Sequence, residues 1–387
     1  MDGTTIGLIA VGVVFSVDII LLLGLVSLKA VHRRRREAHD RRRAAYVAVL
    51  SRHLAFEHHT DPIGPNAGDD DAFLDAVIDL RNIVSGAEIE TLAGIVDRVG
   101  LAKKQTARLK RRHPLGGRLR AAVSLAEMGE ESTAPVLIEY LDDREPEVRI
   151  QCARGLGRMQ HTAAIDAILD RFGLEEAWVR ARFADTLVSF GAKATWQLVA
   201  YIRVNLDYDD NQGVIEAIRV LGTIGDREVG PTLARILDVT IDPEVSIAVI
   251  EALGAVGGPL AIPPLERTFR SPDWRLRAKS ASSLGLIGDP SVTPIVVTGL
   301  EDENWWVRRN SAAALASLPN GEAMLIKAIE SPDVFARDAA AEALADSGAL
   351  TAARERLETG QETEGDRLLV EYVSAQETVS NQEAVSA

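Results

Sequence analysis

A repeat constrains this chain more than any other feature. Counting from Arg277, an Ala follows at offset four (Ala281), a Leu at seven (Leu284), an apolar residue at ten (Ile287) and a Gly at eleven (Gly288). The same template fits anchors at Arg118, Arg149, Arg180, Val214, Ser246, Arg308 and Arg337, with successive steps of 31, 31, 34, 32, 31, 31 and 29 residues. Offsets 0, 4, 7 and 11 share one face of an α-helix, and a fixed period of this size is the signature of a solenoid. Offset seven is Leu in every copy: Leu125, Leu156, Leu187, Leu221, Leu253, Leu284, Leu315 and Leu344. Offset four is Ala, or Ile at Ile218 and Ile250. A small residue there lets a neighbouring helix come close while the Leu fills the space between. Gly at offset eleven supplies a left-handed helix cap; Gln160 and Pro319 depart from that rule.

Each copy continues with a second amphipathic segment, at 133–141, 162–172, 229–237, 260–269 and 292–300. A short acidic turn follows, often with a proline, as at 142–147, 242–244, 271–273 and 331–333. Proline and an acidic residue early in a helix are favourable start signals. Acidic turn, Val/Leu-Arg, Ala at four, Leu at seven, then Ile-Gly-Asp: this pattern resembles the HEAT repeat family, and is similar to the short HEAT-like repeats of phycobilisome lyases. The resemblance covers residues 116–357, about 60% of the chain. It implies an all-α fold, a right-handed α-solenoid of about eight helix pairs. It also implies that anchor arginines (Arg149, Arg180, Arg277, Arg308) and turn carboxylates (Asp143, Glu176, Asp273, Glu303) hold adjacent repeats together, more weakly at Val214 and Ser246.

Ahead of the repeats lies a different kind of sequence. Residues 6–28 are 23 in number with one charge, Asp18. A helix needs about 20 apolar residues to cross a bilayer core. The basic cluster follows the apolar run instead of preceding it, which argues for a retained anchor over a cleaved signal peptide. Residues 1–43 hold eight basic and four acidic residues, a net of +4, so the remainder of a chain of net charge −14 carries −18. The positive-inside rule then places residues 1–5 outside and everything after about 29 in the cytoplasm of a plasma-membrane, single-pass protein. Asp18 costs about 2.5–3.5 kcal/mol in the span and calls for a partner there. Arg33, Arg34, Arg35 and Arg36 suit anionic lipid headgroups.

Residues 29–59 read as a basic juxtamembrane helix and 60–70, rich in Pro and Gly, as a linker. Residues 71–113 read as a helical N-terminal cap, which solenoids need at an exposed end. The array spans 114–358, and 359–387 reads as an acidic, mostly disordered tail. The stretch 205–210, inside the longest step between anchors, reads as a bend or insertion.

Candidate sites lie in the departures from the repeat. His53, His58 and His59 have no metal-site spacing, and the single Cys152 excludes an internal disulfide. No catalytic constellation, cofactor motif or phosphate-cradling loop stands out, so the chain reads as no enzyme, without cofactor or metal. A strongly acidic body disfavours nucleic acid. Aromatics crowd the positions just before the anchor: Trp178, Trp274, Trp305, Trp306 and Phe335. Trp on a solenoid rim is an interface anchor. A second candidate is the column at offset 21, Glu139, Asp170, Tyr201, Arg235, Arg267 and Thr298, on the helices that line the concave face in HEAT-like arrays. Together these describe a membrane-anchored scaffold for a protein partner, integral membrane enzymes such as glycosyltransferases included. The alternatives are a HEAT-like enzyme of lyase or nucleic-acid glycosylase type, or a lipid-surface protein acting through its basic collar. Homo-oligomerisation stays open.

Overall fold

Why the offsets matter is visible in the core. In the computed structural model, which describes residues 3–55, 63–110, 113–206 and 211–386 (side chains from 22 to 378, Gly24 excepted), every offset-seven leucine is wholly buried. The offset-four residues Ala122, Ala153, Ala184, Ile218, Ile250, Ala281, Ala312 and Ala341 are buried too. Offset −1 joins them, with Val148, Val179, Val245, Val307 and Ala336 all buried. Among the described residues all regular structure is helical.

The chain forms two compact units, Met1–Met159 and Gln160–Ala387. In the first, the long helix Gly3–Ala55 packs on Asp70–Arg81, and the helices Ala87–Val99 and Leu101–Leu109 complete the cap. Leu101–Leu109 packs on Leu115–Met128, which packs on Pro146–Arg158. In the second unit the first helices of successive repeats are Ala177–Ser189, Gln212–Ile224, Pro243–Val256, Trp274–Ile287, Trp305–Ser317 and Val334–Asp346. Each packs on the next. The second helices are shorter and several begin in a 3₁₀ turn, for example Gly230–Val239, Ile262–Thr268 and Thr293–Thr298.

A seam of small residues sets the spacing between first helices. A Cβ added to Gly285 would lie 2.5 Å from the Ala314 Cβ and 2.7 Å from its Cα. Gly254 stands in the same way against Ser283, Gly222 against Ala252, and, in the first unit, Gly155 against Ala126. Offset eight of one repeat thus faces offset six of the next, and in these four pairs both are small, whereas Val188 and Val220 hold the same offsets between the repeats anchored at Arg180 and Val214. The repeat template names neither position.

Two departures from the Gly rule resolve differently. Gln160 takes the left-handed conformation itself, at φ 55°. Its amide donates to the Ser189 carbonyl at 2.8 Å, and its carbonyl oxygen accepts from Lys193 at 3.2 Å. At Pro319 the left-handed residue moves one place on, to Asn320 at φ 63°.

The C-terminal segment corrects the expected disordered tail. Glu364–Ser386 is a helix that packs on Ala349–Thr359. Its start is a capping box: the Thr363 backbone N–H donates to Asp366 at 2.8 Å and the Asp366 N–H donates to the Thr363 hydroxyl at 3.2 Å. Arg356 makes two bonds to the same carboxylate, and Leu369 is buried. Arg356 holds the Asp366 carboxyl far below the usual range against the opposing effect of burial, with the two Thr363 donors helping.

At the N-terminus, no helix among the described residues is long and apolar enough to cross a membrane. The side chains of 1–21, Asp18 included, lie outside the described residues, as do 56–62 with His58 and His59. The described part of the first helix holds only the end of the apolar run, Leu22 to Leu28, before the arginines begin. Residues 207–210, within the expected insertion, also lie outside the described residues.

Candidate interaction surface

The aromatic residues occupy the first turn of their helices, and the caps explain why they point outward. Asp273, Asn304 and Asp333 sit at the N-cap and accept from the backbone N–H of Arg275, Trp306 and Phe335 at 2.9 Å each. The inward position of that turn is offset −1, held by Val179, Val307 and Ala336. Trp274 and Trp305 at offset −3, and Trp178, Trp306 and Phe335 at offset −2, therefore lie off the core-facing stripe. Each keeps between 39% and 58% of its surface exposed. Both members of the Trp305–Trp306 pair are uncovered, packed edge to face with centroids 4.6 Å apart.

Cations frame this cluster. The Arg309 guanidinium lies 5.3 Å from the Trp305 ring centre and Arg308 lies 4.9 Å from that of Phe335. Arg309 is also tied to Glu342 at 2.7 Å. Trp178 donates from its indole nitrogen to Glu176 at 3.0 Å. The edge is thus apolar and charge-compensated, with ring faces available between bound arginines. Trp196, on the second helix Thr195–Asn205, is 55% exposed as well. It falls outside the pre-anchor pattern, which is why a search for repeating positions does not find it.

The anchor arginines act as mortise pieces, with one change from the expected pairing. Each guanidinium donates back to carbonyls five or six residues earlier: Arg149 to Asp143 and Arg144, Arg180 to Glu175, Arg277 to Ser271 and Pro272, Arg308 to Asp302 and Glu303, Arg337 to Ser331 and Pro332. For Arg277 and Arg118 the carboxylate partner comes from the following repeat. Arg277 grips Asp302 through two bonds of 2.8 and 2.9 Å and reaches Glu303 at 3.3 Å. Arg118, wholly buried, pairs with the buried Asp143. Asp273, expected to serve Arg277, instead caps its helix and binds Arg275. Burial pushes the Asp302 carboxyl up, but the bonds from Arg277 and the Asn304 N–H, with the charges of Arg277 and Arg308, bring it below the ordinary range.

The offset-21 column is less uniform than its spacing implies. Asp170, Arg235, Arg267 and Thr298 are exposed in the second unit, and Glu139 is exposed in the first. Arg267 pairs with Asp238 at 2.7 Å, and Arg235 donates to the Thr232 hydroxyl. Tyr201 is half-buried, edge-on to Phe172 at 5.9 Å. Its hydroxyl lies 2.5 Å from where a Gly213 Cβ would stand, so this ring fills a gap in the packing.

Two remaining candidates are quickly placed. Cys152 is fully buried, which pushes its thiol up and out of the reactive range. Among the described residues no cluster of His, Cys, Asp and Glu could hold a metal ion.

No curated protein matches the chain in sequence. Among solved structures it is similar to an engineered protein (18% identity, TM-score 0.35, covering 84% of this chain and 98% of the other). It is also similar to the karyopherin Kap121p bound to the extreme C-terminus of the phosphatase Cdc14p (13%, TM-score 0.49, 74% and 38%). A third is the CpcE–CpcF complex of phycocyanin lyase from Nostoc sp. PCC7120 (20%, TM-score 0.33, 63% and 94%). Residues 106–195, 206–278 and 266–345, together more than half of the chain, match the family model of HEAT repeats, and the chain belongs to the HEAT repeat family.

Proposed function

We propose that this protein is a non-catalytic scaffold that binds a protein partner through the aromatic edge of a right-handed stack of HEAT repeats. One observation carries the reading. Trp178, Trp274, Trp305, Trp306 and Phe335 hold related first-turn positions, and none is covered by its own fold. Large rings cost little conformational entropy to fix, and Trp, Tyr and Arg dominate the energetically decisive residues of protein interfaces. Nothing in the packing of the repeats requires rings at offsets −2 and −3, because offset −1 already supplies the core.

The scaffold is held at the inner face of a membrane by residues 6–28, with the repeats in the cytoplasm. The sequence supports this: 23 residues with one charge, followed by Lys29 and the arginine run. Leu22, Leu23, Leu25, Val26 and Leu28 are more than half exposed, as a lipid-facing turn would be. A partner in the same membrane would meet the edge at high effective concentration.

A photoreactive amino acid at position 306 of the full-length protein, in native membranes, tests the scaffold. Crosslinking to one protein, lost on W305A/W274A and absent from a probe at exposed Arg182, is the expected result. Equal labelling from both positions would end the reading. Alkaline carbonate extraction tests the anchor: release into the soluble fraction would overturn it.

A further inference from the structure

One stripe of the long first helix changes character along its length. His32, Arg35, Arg36, His39, Arg43, Tyr46 and Leu50 recur at helical spacing on one face of Gly3–Ala55. From His39 onward every member is engaged. His39 meets Asp75 at 2.8 Å, Arg43 makes two bonds of 2.5 Å to Asp79, Tyr46 packs edge-on against Phe73 at 5.2 Å, and Leu50 is buried. Before His39 the pattern of pairing stops. Arg35 and Arg36 there make no ion pair among the described residues.

Their exposed side chains border an open cleft. His32, Arg35 and Arg36 line it together with Arg120, Val123 and Ile78. Arg120 belongs to Leu115–Met128, far away in sequence, and its only ion pair among the described residues is a loose one with half-buried Asp71 at 3.5 Å. The carboxylates that reach the cleft are Asp40 and Asp75, and Asp75 is already taken by His39. Three guanidinium groups from two separate elements therefore converge with an excess of positive charge. A planar guanidinium fork matches the oxygens of a phosphate group in a way that an ammonium does not.

We propose that this cleft binds a phosphate-bearing anion, drawn from the headgroup of an anionic phospholipid or from free phosphate. The lipid source rests on the anchor at 6–28, whereas the cleft itself does not. Arg35 and Arg36 follow Leu28 by seven and eight residues, about 11 Å of helix. Headgroups occupy roughly 5–8 Å beyond the hydrocarbon core, and long arginine side chains reach back toward that layer. Arg120 separates this proposal from ordinary attraction between a basic collar and a charged surface. It is no part of the collar and has no role in orientation.

The experiment uses the full chain in neutral detergent. Native mass spectrometry counts bound phosphatidylglycerol against phosphatidylcholine, and calorimetry follows titration with inorganic phosphate. Preference for phosphatidylglycerol is the expected result, with affinity lowered about fivefold in R120Q and by more in R35Q/R36Q. V123E places a carboxylate in the cleft without touching an arginine and should weaken binding as R120Q does. Thermal unfolding of each variant checks that it is folded. Binding of inorganic phosphate that competes with the lipid and weakens in R120Q supports the cleft with free phosphate as its source. Should R120Q and V123E bind both anions as the wild type does, or should the wild type bind neither, the proposal is overturned. A chain released by carbonate that still binds phosphate through Arg120 would refute the anchor and support the cleft.

Discussion

Two joints in the second unit join the same kinds of helix with different groups. Between the repeats anchored at Arg277 and Arg308, one carboxylate ties everything together. Asp302 accepts twice from Arg277, accepts the Asn304 N–H at 2.8 Å, and offers its own carbonyl to Arg308 at 2.8 Å. Between the repeats anchored at Val214 and Ser246 there is no guanidinium at either anchor. Asn211 instead donates to Asp242 at 2.8 Å, while Asp242 caps Pro243–Val256 through Glu244 and Val245. Both joints keep the small-residue seam, Gly285 on Ala314 and Gly222 on Ala252. The seam is therefore what these two joints share, and the polar lock is what differs between them.

The largest effect is expected where the lock is wholly buried. Arg118 and Asp143 in the first unit are both inaccessible. Asp143→Ala leaves the buried Arg118 guanidinium with only a loose pair to Glu145 at 3.7 Å and should cost about 3–5 kcal/mol, read from denaturant unfolding. Replacing both partners with apolar residues of similar volume should restore most of that loss. If the single and double variants are equally unstable, the lock is not electrostatic.

Asp302→Asn weakens the half-buried lock and should cost about 1–2 kcal/mol at pH 7. Because Asp302 is held below its ordinary value of 3.8, its contribution is complete above that pH and disappears as pH falls through the folded-state value. The difference between wild type and D302N should therefore shrink below about pH 4. Asn211→Ala, at the joint without arginines, should cost less, about 1 kcal/mol. Equal losses at the two joints would erase the distinction between them.

Gly285→Val tests the shared part. Its side chain would meet the Ala314 backbone, and overpacking of this kind typically costs about 1–3 kcal/mol. Gly222→Val should behave alike even though its joint lacks arginines. A tolerant Gly222 would show that the seam, too, differs between the two joints.

These cases show what could be read from residues alone. Repeat register, the eight buried leucines and the small offset-four residues follow from spacing, because a helix face is a periodic object. The offset-six and offset-eight seam did not, since Gly, Ala and Ser share no single letter. Of the four anchor arginines that the resemblance implies, Arg277 crosses to carboxylates of the next repeat, and these are Asp302 and Glu303 in place of Asp273. Spacing places a residue on a face without saying which neighbour its side chain crosses to. At the C-terminus an acidic composition points to a mostly disordered tail, whereas Thr363-Glu364-Gly365-Asp366 is a legible capping-box signal for the helix that forms there. For the aromatic edge, position was legible and exposure was not. The buried offset −1 residues Val179, Val307 and Ala336 show that the rings beside them are surplus to the core, while the half-buried Leu276 holds that place beside Trp274.

That surplus is the smallest and most telling prediction about stability. Trp305 and Trp306 stand at the same joint as the Arg277–Asp302 lock, within one turn of Arg308. If they held the joint together, removing them would cost as much as removing the lock. Their exposure and their mutual edge-to-face contact predict otherwise. Trp305→Ala and Trp306→Ala should each cost less than about 1 kcal/mol, below the loss in D302N under identical conditions. Their effect should appear in crosslinking from the aromatic edge instead. A loss of several kcal/mol would make the rings part of the seam between repeats and would remove the observation on which partner binding rests.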